Sequence, residues 1–501
     1  MATEKGFYAG TRSFAWLAEL THLPIDQVNF LVCQFTALAF AVLYRKAFCP
    51  QKVSTEIRHV VAFTIGFGLG YFCFGYQITH LVIQSTLSYI IMNYVSPQIM
   101  HRLVLLVSLI YLSTMHLMRL TYDYGGWTVD VTGPMMITTQ KVSSLAFSLH
   151  DGLCQSEEKM SPEQRKRAVR HIPTVLEFFS YIFHFQALMC GPLVFYNDYV
   201  DFVEGKGFIK NISPNMVVLR KLLVSIFCAL FLITIVPFFP ITYLQDPKFL
   251  NNTPWYSKLM YLLLATSVVR SKYYHAWLLG EAVCNASGMG FNGYNNDGHP
   301  KWDLMSNVDI IRFELSLNFR ETLETWNKST QMWLRFIAYD RAPSHKTFWT
   351  YVLSALWHGF YPGYYFTFLG GAIFTLAARS IRRSIRPLFQ GKRSTSRLYD
   401  VITCITTRFA LAYIVFPFIL LECHASLAVY KKLYFAGHWL ALTAIFLLPY
   451  FVPAVVRSNA LGNRKDHKVH FRLCEKSEVT LNCIGRIGNI PIYTDVLYAT
   501  G

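Results

Sequence analysis

The sequence predicts an all-α polytopic membrane protein with about 10–12 transmembrane or re-entrant helices, each near the ~20 residues that a bilayer core requires. Three observations carry that prediction. Of 501 residues, 53% are hydrophobic and 15% are charged, where soluble domains carry about 25% charged residues. The apolar residues are gathered into runs of spanning length, and Lys and Arg are gathered between those runs. The aromatic share of 16% suits interface belts and lipid-facing walls.

Residues 1–26 read as a short interfacial segment. Glu4, Lys5 and Arg12 precede any apolar run, so the start does not read as a cleaved signal peptide, and the first span serves as the targeting signal. The domain of spans is expected over residues 27–456. Its crossings fall at roughly 27–48, 59–76, 78–96, 103–121, 174–196, 216–240 and 255–279, then at 347–359, 361–380, 401–422 and 434–456. Residues 134–150 are apolar but contain Gln140, Lys141 and His150, and are expected to be re-entrant or buried rather than exposed to lipid. The interval from Asp297 to Lys346 is too polar to cross. It reads as a loop followed by an amphipathic helix, with Trp326, Thr330, Trp333, Leu334 and Ile337 on one face lying in the interface. Residues 457–501 form a polar, basic tail, with Arg464, Lys465 and Lys468 clustered in it. No internal repeat is visible.

Basic loops lie at Arg45 to Arg58, Lys159 to Arg170, Arg379 to Arg397, and after Arg457. Two arrangements satisfy the spans. If 134–150 crosses and 347–380 is one crossing, all four basic loops share a side and residues 281–346 face the other. If 134–150 does not cross and the Gly359–Gly363 break divides two crossings, residues 281–346 join Arg45, Arg379 and the tail, and the Lys159 loop lies opposite. The second is favoured, because the chemistry below needs residues 281–346 near the cytosol.

A net charge of +17 placed in loops marks topology and contact with anionic lipid or phosphate, not nucleic acid. Eleven scattered cysteines without a C-x-x-C pair form no disulfide framework or zinc ribbon. No metal site is expected. His150 and Asp151 are adjacent on a helix and point apart, and His101, His116 and His184 lack a carboxylate at ligand spacing.

His358 sits within an apolar run, in Ser354-Ala355-Leu356-Trp357-His358-Gly359-Phe360-Tyr361-Pro362-Gly363-Tyr364-Tyr365. One reading is a packing histidine whose hydrogen bonds are met. The other is a proton acceptor. Gly359, Pro362 and Gly363 break the helix just after it, and irregular backbone at membrane depth is tolerated only inside protein or along a cavity. Aromatics crowd both sides, so chemistry is favoured. Asn327 precedes a helical face, and three readings stand side by side from its pattern alone: a glycosylation sequon with Lys328 and Ser329, a helix cap, and a catalytic amide.

An Asn on an amphipathic segment, followed by an intramembrane His, resembles the membrane-bound O-acyltransferase family. The similarity runs over roughly residues 25–456 and includes Trp302-Asp303, Trp357-His358-Gly359 with Pro362-Gly363-Tyr364, and Lys272-Tyr273-Tyr274-His275-Ala276-Trp277. These blocks are similar to the lysophospholipid acyltransferase branch, and Pro24 to Phe30 and Gly133 to Ile137 to its lysophosphatidylethanolamine and lysophosphatidylserine members. One departure is Glu281, where the family pattern has Asp.

The resemblance implies helices around a central catalytic chamber, with His358 and Asn327 as the two functional residues. It implies a reaction that moves an acyl group, in phospholipid remodelling, from acyl-CoA, a co-substrate, to a lysophospholipid hydroxyl, with no bound cofactor. It also implies a multi-pass protein of the endoplasmic reticulum membrane. Candidate substrate contacts are Trp326, Trp333, Tyr364, Tyr365, Trp302 and Asp303, with Lys272, Lys328, Arg335 and Arg341 for CoA phosphates. For each cation the competing reading is an interfacial anchor, and for each aromatic it is plain packing. Within the family, lysophosphatidylcholine or lysophosphatidylinositol is the alternative acceptor, and sterol, diacylglycerol or protein a more distant one. Outside it, a transporter would explain the broken helix, but no inverted repeat and no set of intramembrane acids supports one. A catalytically dead lipid-binding relative would not need both Asn327 and His358. No signal for an oligomeric state stands in the sequence.

Overall fold

The computed structural model describes residues 8–126, 128–206 and 212–452. The expected basic tail lies outside them. The described residues are helical, with one isolated bridge between Tyr294 and Pro300 and no strand. Five helical stretches are long and apolar enough to cross a bilayer: Ile25–Ala47, Thr55–Tyr94, Pro97–Tyr122, Asn215–Gln245 and Arg393–Leu420. The bent pair Cys423–Lys432 and Ala436–Phe451 makes a sixth if it counts as one span.

The bundle opens with α1 (Ile25–Ala47), α2 (Thr55–Phe74) and α3 (Ile78–Tyr94). Gly75, at φ +55°, breaks the run between α2 and α3. The two then fold back on each other, because His59 near the start of α2 and Tyr89 near the end of α3 both meet one short helix: His59 Nδ1 lies 2.6 Å from Ser180 Oγ, and the Tyr89 and Phe178 rings lie 4.8 Å apart.

The next pair corrects the expected topology. α4 (Pro97–Tyr122) and α5 (Thr132–Cys154) run side by side along their whole length. Arg119 donates to Thr132 Oγ1 at one end (3.2 Å) and His150 Nδ1 lies 3.0 Å from the Pro97 carbonyl at the other. So α5 traverses the thickness that α4 does. The segment is buried rather than lipid-exposed, as expected, with Gln140, Lys141, Ser143 and Asp151 inside the protein. What differs is that it crosses, which its sequence hid because hydropathy reports contact with lipid. Residues 174–196, expected to cross, do not. α6 (Val175–Phe183) stops after nine residues, the chain turns through His184–Phe195, and α7 (Tyr196–Glu204) returns to the side it left. There Asn197 donates to the carbonyls of Lys166 and Ala168. Lys141 makes the re-entrant turn tolerable. Its ammonium donates to the carbonyls of Tyr181 and Ile182, at 3.0 and 2.9 Å, which the broken helix leaves unpaired.

α8 (Asn215–Ile235) and α9 (Trp255–Ser287) pack together. The polar interval follows, with α10 (Ile310–Glu314) and α11 (Lys328–Leu334), then α12 (Lys346–His358), α13 (Pro362–Ser384) and α14 (Arg393–Leu420). Three contacts set the sidedness. Arg45 bonds both the Ala286 carbonyl and Asn215 Oδ1. Arg341 pairs with Asp151. Arg379 donates to Thr347 Oγ1. Residues 286, 341 and 347 therefore share one end with all the described basic loops, and the positive-inside rule assigns that end to the cytosol. The Lys159 loop, expected opposite, is on this side, because α5 crosses and 175–195 is re-entrant.

The face expected in the interface is also elsewhere. Thr330, Trp333, Leu334 and Ile337 are buried. Gln140 donates to Thr330 Oγ1 (2.9 Å), and Trp333 Nε1 to Ser143 Oγ (2.9 Å). The polarity of α5 thus serves α11.

Candidate active site

His358 is the last residue of α12. Its Nδ1 lies 2.7 Å from the carbonyl oxygen of Ser354, one turn earlier. A carbonyl only accepts, so the neutral ring carries its hydrogen on Nδ1 and leaves a lone pair on Nε2. Among the described residues none bonds that nitrogen. The ring is half-buried although protein surrounds it, so its open surface faces an internal space rather than lipid. The wall is aromatic: Phe368 at 4.7 Å between centroids, Phe418 at 5.3 Å and Tyr364 at 5.9 Å.

The break after His358 is built from its neighbours. Gly359 has φ +110° and ψ −160°, a conformation that L side chains rarely adopt. A Cβ there would lie 3.0 Å from His116 Cγ. That histidine, on α4, has Nε2 3.2 Å from the Trp357 carbonyl, one of the groups that the end of α12 leaves unpaired. Pro362 begins α13, and Gly363 N–H donates to the Leu421 carbonyl at 2.9 Å. A Cβ on Gly363 would lie 1.9 Å from the Pro417 carbonyl oxygen, so the approach of α13 to α14 requires glycine. Tyr361 Oη accepts from Gly125 N–H (2.9 Å), tying the turn to the end of α4.

Asn327 stands at the start of α11 in the left-handed conformation, φ 45° and ψ 55°. Its side chain does not cap the helix, so the cap reading fails and the carboxamide stays available. Trp326 before it sits in an aromatic box with Trp277 (4.9 Å), Phe313 (4.9 Å), Tyr273 (5.7 Å) and Tyr274 (5.8 Å). Arg270 and Tyr274 close the box on Glu314 at 2.8 and 2.6 Å.

Two links join the surroundings of Asn327 to those of His358. Trp333 on α11 meets Trp357 at 5.7 Å between centroids, and Trp357 Nε1 donates to the Met136 carbonyl of α5. Tyr273 of the box and Tyr364 of the His358 wall lie within electrostatic reach of each other.

The remaining candidates divide by position. Tyr364 lines the histidine. Tyr365 is half-buried one residue further on. Lys272 is half-buried on α9, within reach of Arg119 and Asp26. Those two lie toward the end of the bundle away from the basic loops, so the structure separates Lys272 from Arg335 and Arg341. Arg335 is exposed and pairs with Asp340 at 3.3 Å. Arg341 is held by both oxygens of fully buried Asp151, at 2.9 and 2.5 Å. Lys328 is half-buried, its backbone N–H on the Asn307 carbonyl. Trp302 and Asp303 hold the loop that follows α9: the Trp302 carbonyl accepts from Asn285 (3.4 Å), and Asp303 from Asn292 (2.8 Å). Cys284 is buried with its thiol on the Gln186 carbonyl, in no posture for an acyl-enzyme. No group of three or more metal-ligating side chains occurs among the described residues.

A multi-pass helical membrane protein thus keeps an imidazole, with one ring nitrogen unengaged, in an aromatic recess at a helix break, and an unengaged carboxamide on the neighbouring helix. Comparison with known proteins gives that class its name. Residues 102–421 match the membrane-bound O-acyltransferase family, and the chain belongs to it. It is 45% identical to lysophospholipid acyltransferase 6 of Drosophila melanogaster, over 92% of this chain and 67% of that protein. It is 41% identical to membrane-bound glycerophospholipid O-acyltransferase 2 of Homo sapiens, over 86% of each chain, and 39% identical to the human protein numbered 1, over 86% of this chain and 91% of the other.

Proposed function

We propose that this enzyme transfers a fatty acyl group, by preference an unsaturated one, from acyl-CoA to the free hydroxyl of a lysophospholipid. Lysophosphatidylethanolamine or lysophosphatidylserine is the acceptor, and the endoplasmic reticulum membrane is the place. The names of its relatives support lysophospholipids as the acceptor class. The observation that carries the chemistry is the Nδ1 hydrogen bond of His358 to the Ser354 carbonyl.

In this reading His358 Nε2 takes the hydroxyl proton as the lysolipid oxygen attacks the thioester carbon. The Asn327 amide donates to the carbonyl oxygen as it gains charge. Collapse of the tetrahedral intermediate breaks the C–S bond, and the proton on Nε2 passes to the departing thiolate. Trp326 and Tyr364 shape the acyl passage, and Trp333, fully buried, packs behind it rather than touching substrate. The CoA phosphates meet cations at the cytosolic mouth.

The test is expression of wild type and His358→Ala in cells lacking background acyltransferases, with one acyl-CoA and lysophospholipids that differ only in head group. Diacyl product from wild type that collapses in the variant is the expected result, and the panel then names the acceptor. No product from any lysophospholipid, with the protein folded and inserted, would overturn the acceptor assignment.

A further inference from the structure

We propose that Glu281 and Asn307 are positioning residues for Asn327: a buried carboxylate fixes a loop, and that loop grips the turn that aims the Asn327 amide. The proposal rests on the reading of Asn327 as an oxyanion donor.

Glu281 lies near the end of α9 and is 1% exposed. Its Oε2 lies 2.5 Å from Lys221 Nζ on α8, so the buried charge is paired. Its Oε1 accepts from two successive backbone amides, Asn307 N–H at 2.6 Å and Val308 N–H at 3.3 Å. The loop held this way brackets Asn327 on both sides. Ahead of it, Asp309 N–H donates to the Thr325 carbonyl at 3.1 Å, and after it Lys328 N–H donates to the Asn307 carbonyl at 2.8 Å. The Asn307 side chain completes the grip, with Oδ1 accepting from Ser329 N–H at 3.1 Å and Ser329 Oγ at 2.7 Å.

Asn307 and Ser329 are both buried, and neither they nor Glu281 reaches the walls of the His358 recess. Their common product is the backbone on either side of one residue at φ 45°. A left-handed non-glycine residue persists only where its surroundings over-determine it. Four hydrogen bonds within two residues of Asn327 do so here, while its own carboxamide is left unengaged. Asn307 thus supplies to the first turn of α11 what a cap side chain supplies elsewhere, and spares Asn327 that duty.

The test is a double-mutant cycle between positions 307 and 327, read as turnover on full-length protein in detergent or native membranes. Loss of one oxyanion donor costs about 10²–10³-fold, a residual rate that radiolabelled acyl-CoA reads over hours. Asn307→Ala is expected to lower kcat about 10- to 100-fold, the cost of a small misplacement, with both KM values unchanged within about twofold. In an Asn327→Ala background the same substitution is expected to change kcat less than about twofold. An equal fall in both backgrounds would mean general structural damage and would overturn the proposal, as would a full rate for Asn307→Ala. Full turnover of Asn327→Ala alone would instead strike the underlying reading of that residue. Glu281→Gln keeps an acceptor for the two amides but opposes Lys221, and is expected to fall between wild type and Asn307→Ala. If Asn307→Ala is not recovered folded, Ser329→Ala enters the same cycle, with the same results deciding.

Discussion

His358 Nδ1 is 2.7 Å from the carbonyl oxygen of Ser354, and both belong to the last turn of one helix. Helix geometry alone therefore fixes the tautomer, with no acid required to orient the ring. His358→Gln tests this division of labour. Glutamine fills similar space and keeps hydrogen-bonding capacity but cannot accept a proton near neutral pH. Turnover is expected to fall about 10²- to 10⁴-fold with thermal stability unchanged. A His358→Gln protein with near wild-type kcat would remove the base from the mechanism.

Gly359→Ala addresses the break. At φ +110° an alanine is strained by about 1–3 kcal/mol, and its Cβ meets His116 at 3.0 Å. The expected outcome is a lower melting temperature and a larger loss of activity, since the strain falls on the residue next to His358. Adding His116→Ala removes the closest part of the clash, though the His116 Cβ position at 3.3 Å remains, and leaves the backbone part, so rescue should be partial. Complete rescue would mean that the clash, not the dihedral, is what glycine avoids.

A local signal made His358 and its helix break legible in the sequence, because an ionisable side chain beside Gly359 and Pro362 is unusual at that depth; Asn327 was singled out only by the family resemblance. The two helices misplaced by sequence reasoning fail for one shared reason. Lys141 made residues 134–150 look too polar to cross, and its partners are the carbonyls of Tyr181 and Ile182, which belong to the re-entrant segment that looked apolar enough to cross. Neither half of that exchange is visible without the other. His116 under Trp357 and the Glu281–Asn307 contact were missed likewise, since they join residues far apart in the chain.

Trp333 separates packing from hydrogen bonding. It is fully buried, and its Nε1 donates to Ser143. Trp333→Phe keeps most of the volume and loses one neutral hydrogen bond, for about 1 kcal/mol. Trp333→Ala opens a cavity between α11 and Trp357 and should cost about 3–5 kcal/mol. Thermal unfolding in detergent should rank wild type, Phe and Ala in that order. Equal melting temperatures would mean that α5 does not support α11.

Sidedness is open to labelling. Single cysteines replacing Lys166, Asp297 and Arg386 in a background without exposed cysteines should all react with an impermeant maleimide from the cytosolic face. The contacts of Asn197 with Lys166, of Arg58 with Val203 and of Arg45 with Ala286 together place the first two on one side. Labelling of Lys166→Cys from the opposite face would restore the arrangement in which α5 does not cross.

Glu314, on α10 in the polar interval, gives a pH signature. Burial pulls its carboxyl upward, but Arg270, Tyr274 and Arg408 outweigh burial and hold it below the ordinary carboxylate value. A depressed folded value means that the stabilisation is complete above the unfolded pKa, about 4.3, and is lost as pH falls through the lower folded value. Glu314→Gln should therefore cost about 1–2 kcal/mol near neutral pH. That is less than a fully enclosed pair would lose, because the Glu314 side chain keeps 33% of its surface. Melting curves of the two proteins should stay apart above about pH 5 and converge as acidification carries the pH below the unfolded value and through the lower folded one. A gap that holds its size across that range would mean that the carboxylate's charge contributes nothing, and that Glu314 acts only as a hydrogen-bond acceptor for Tyr274.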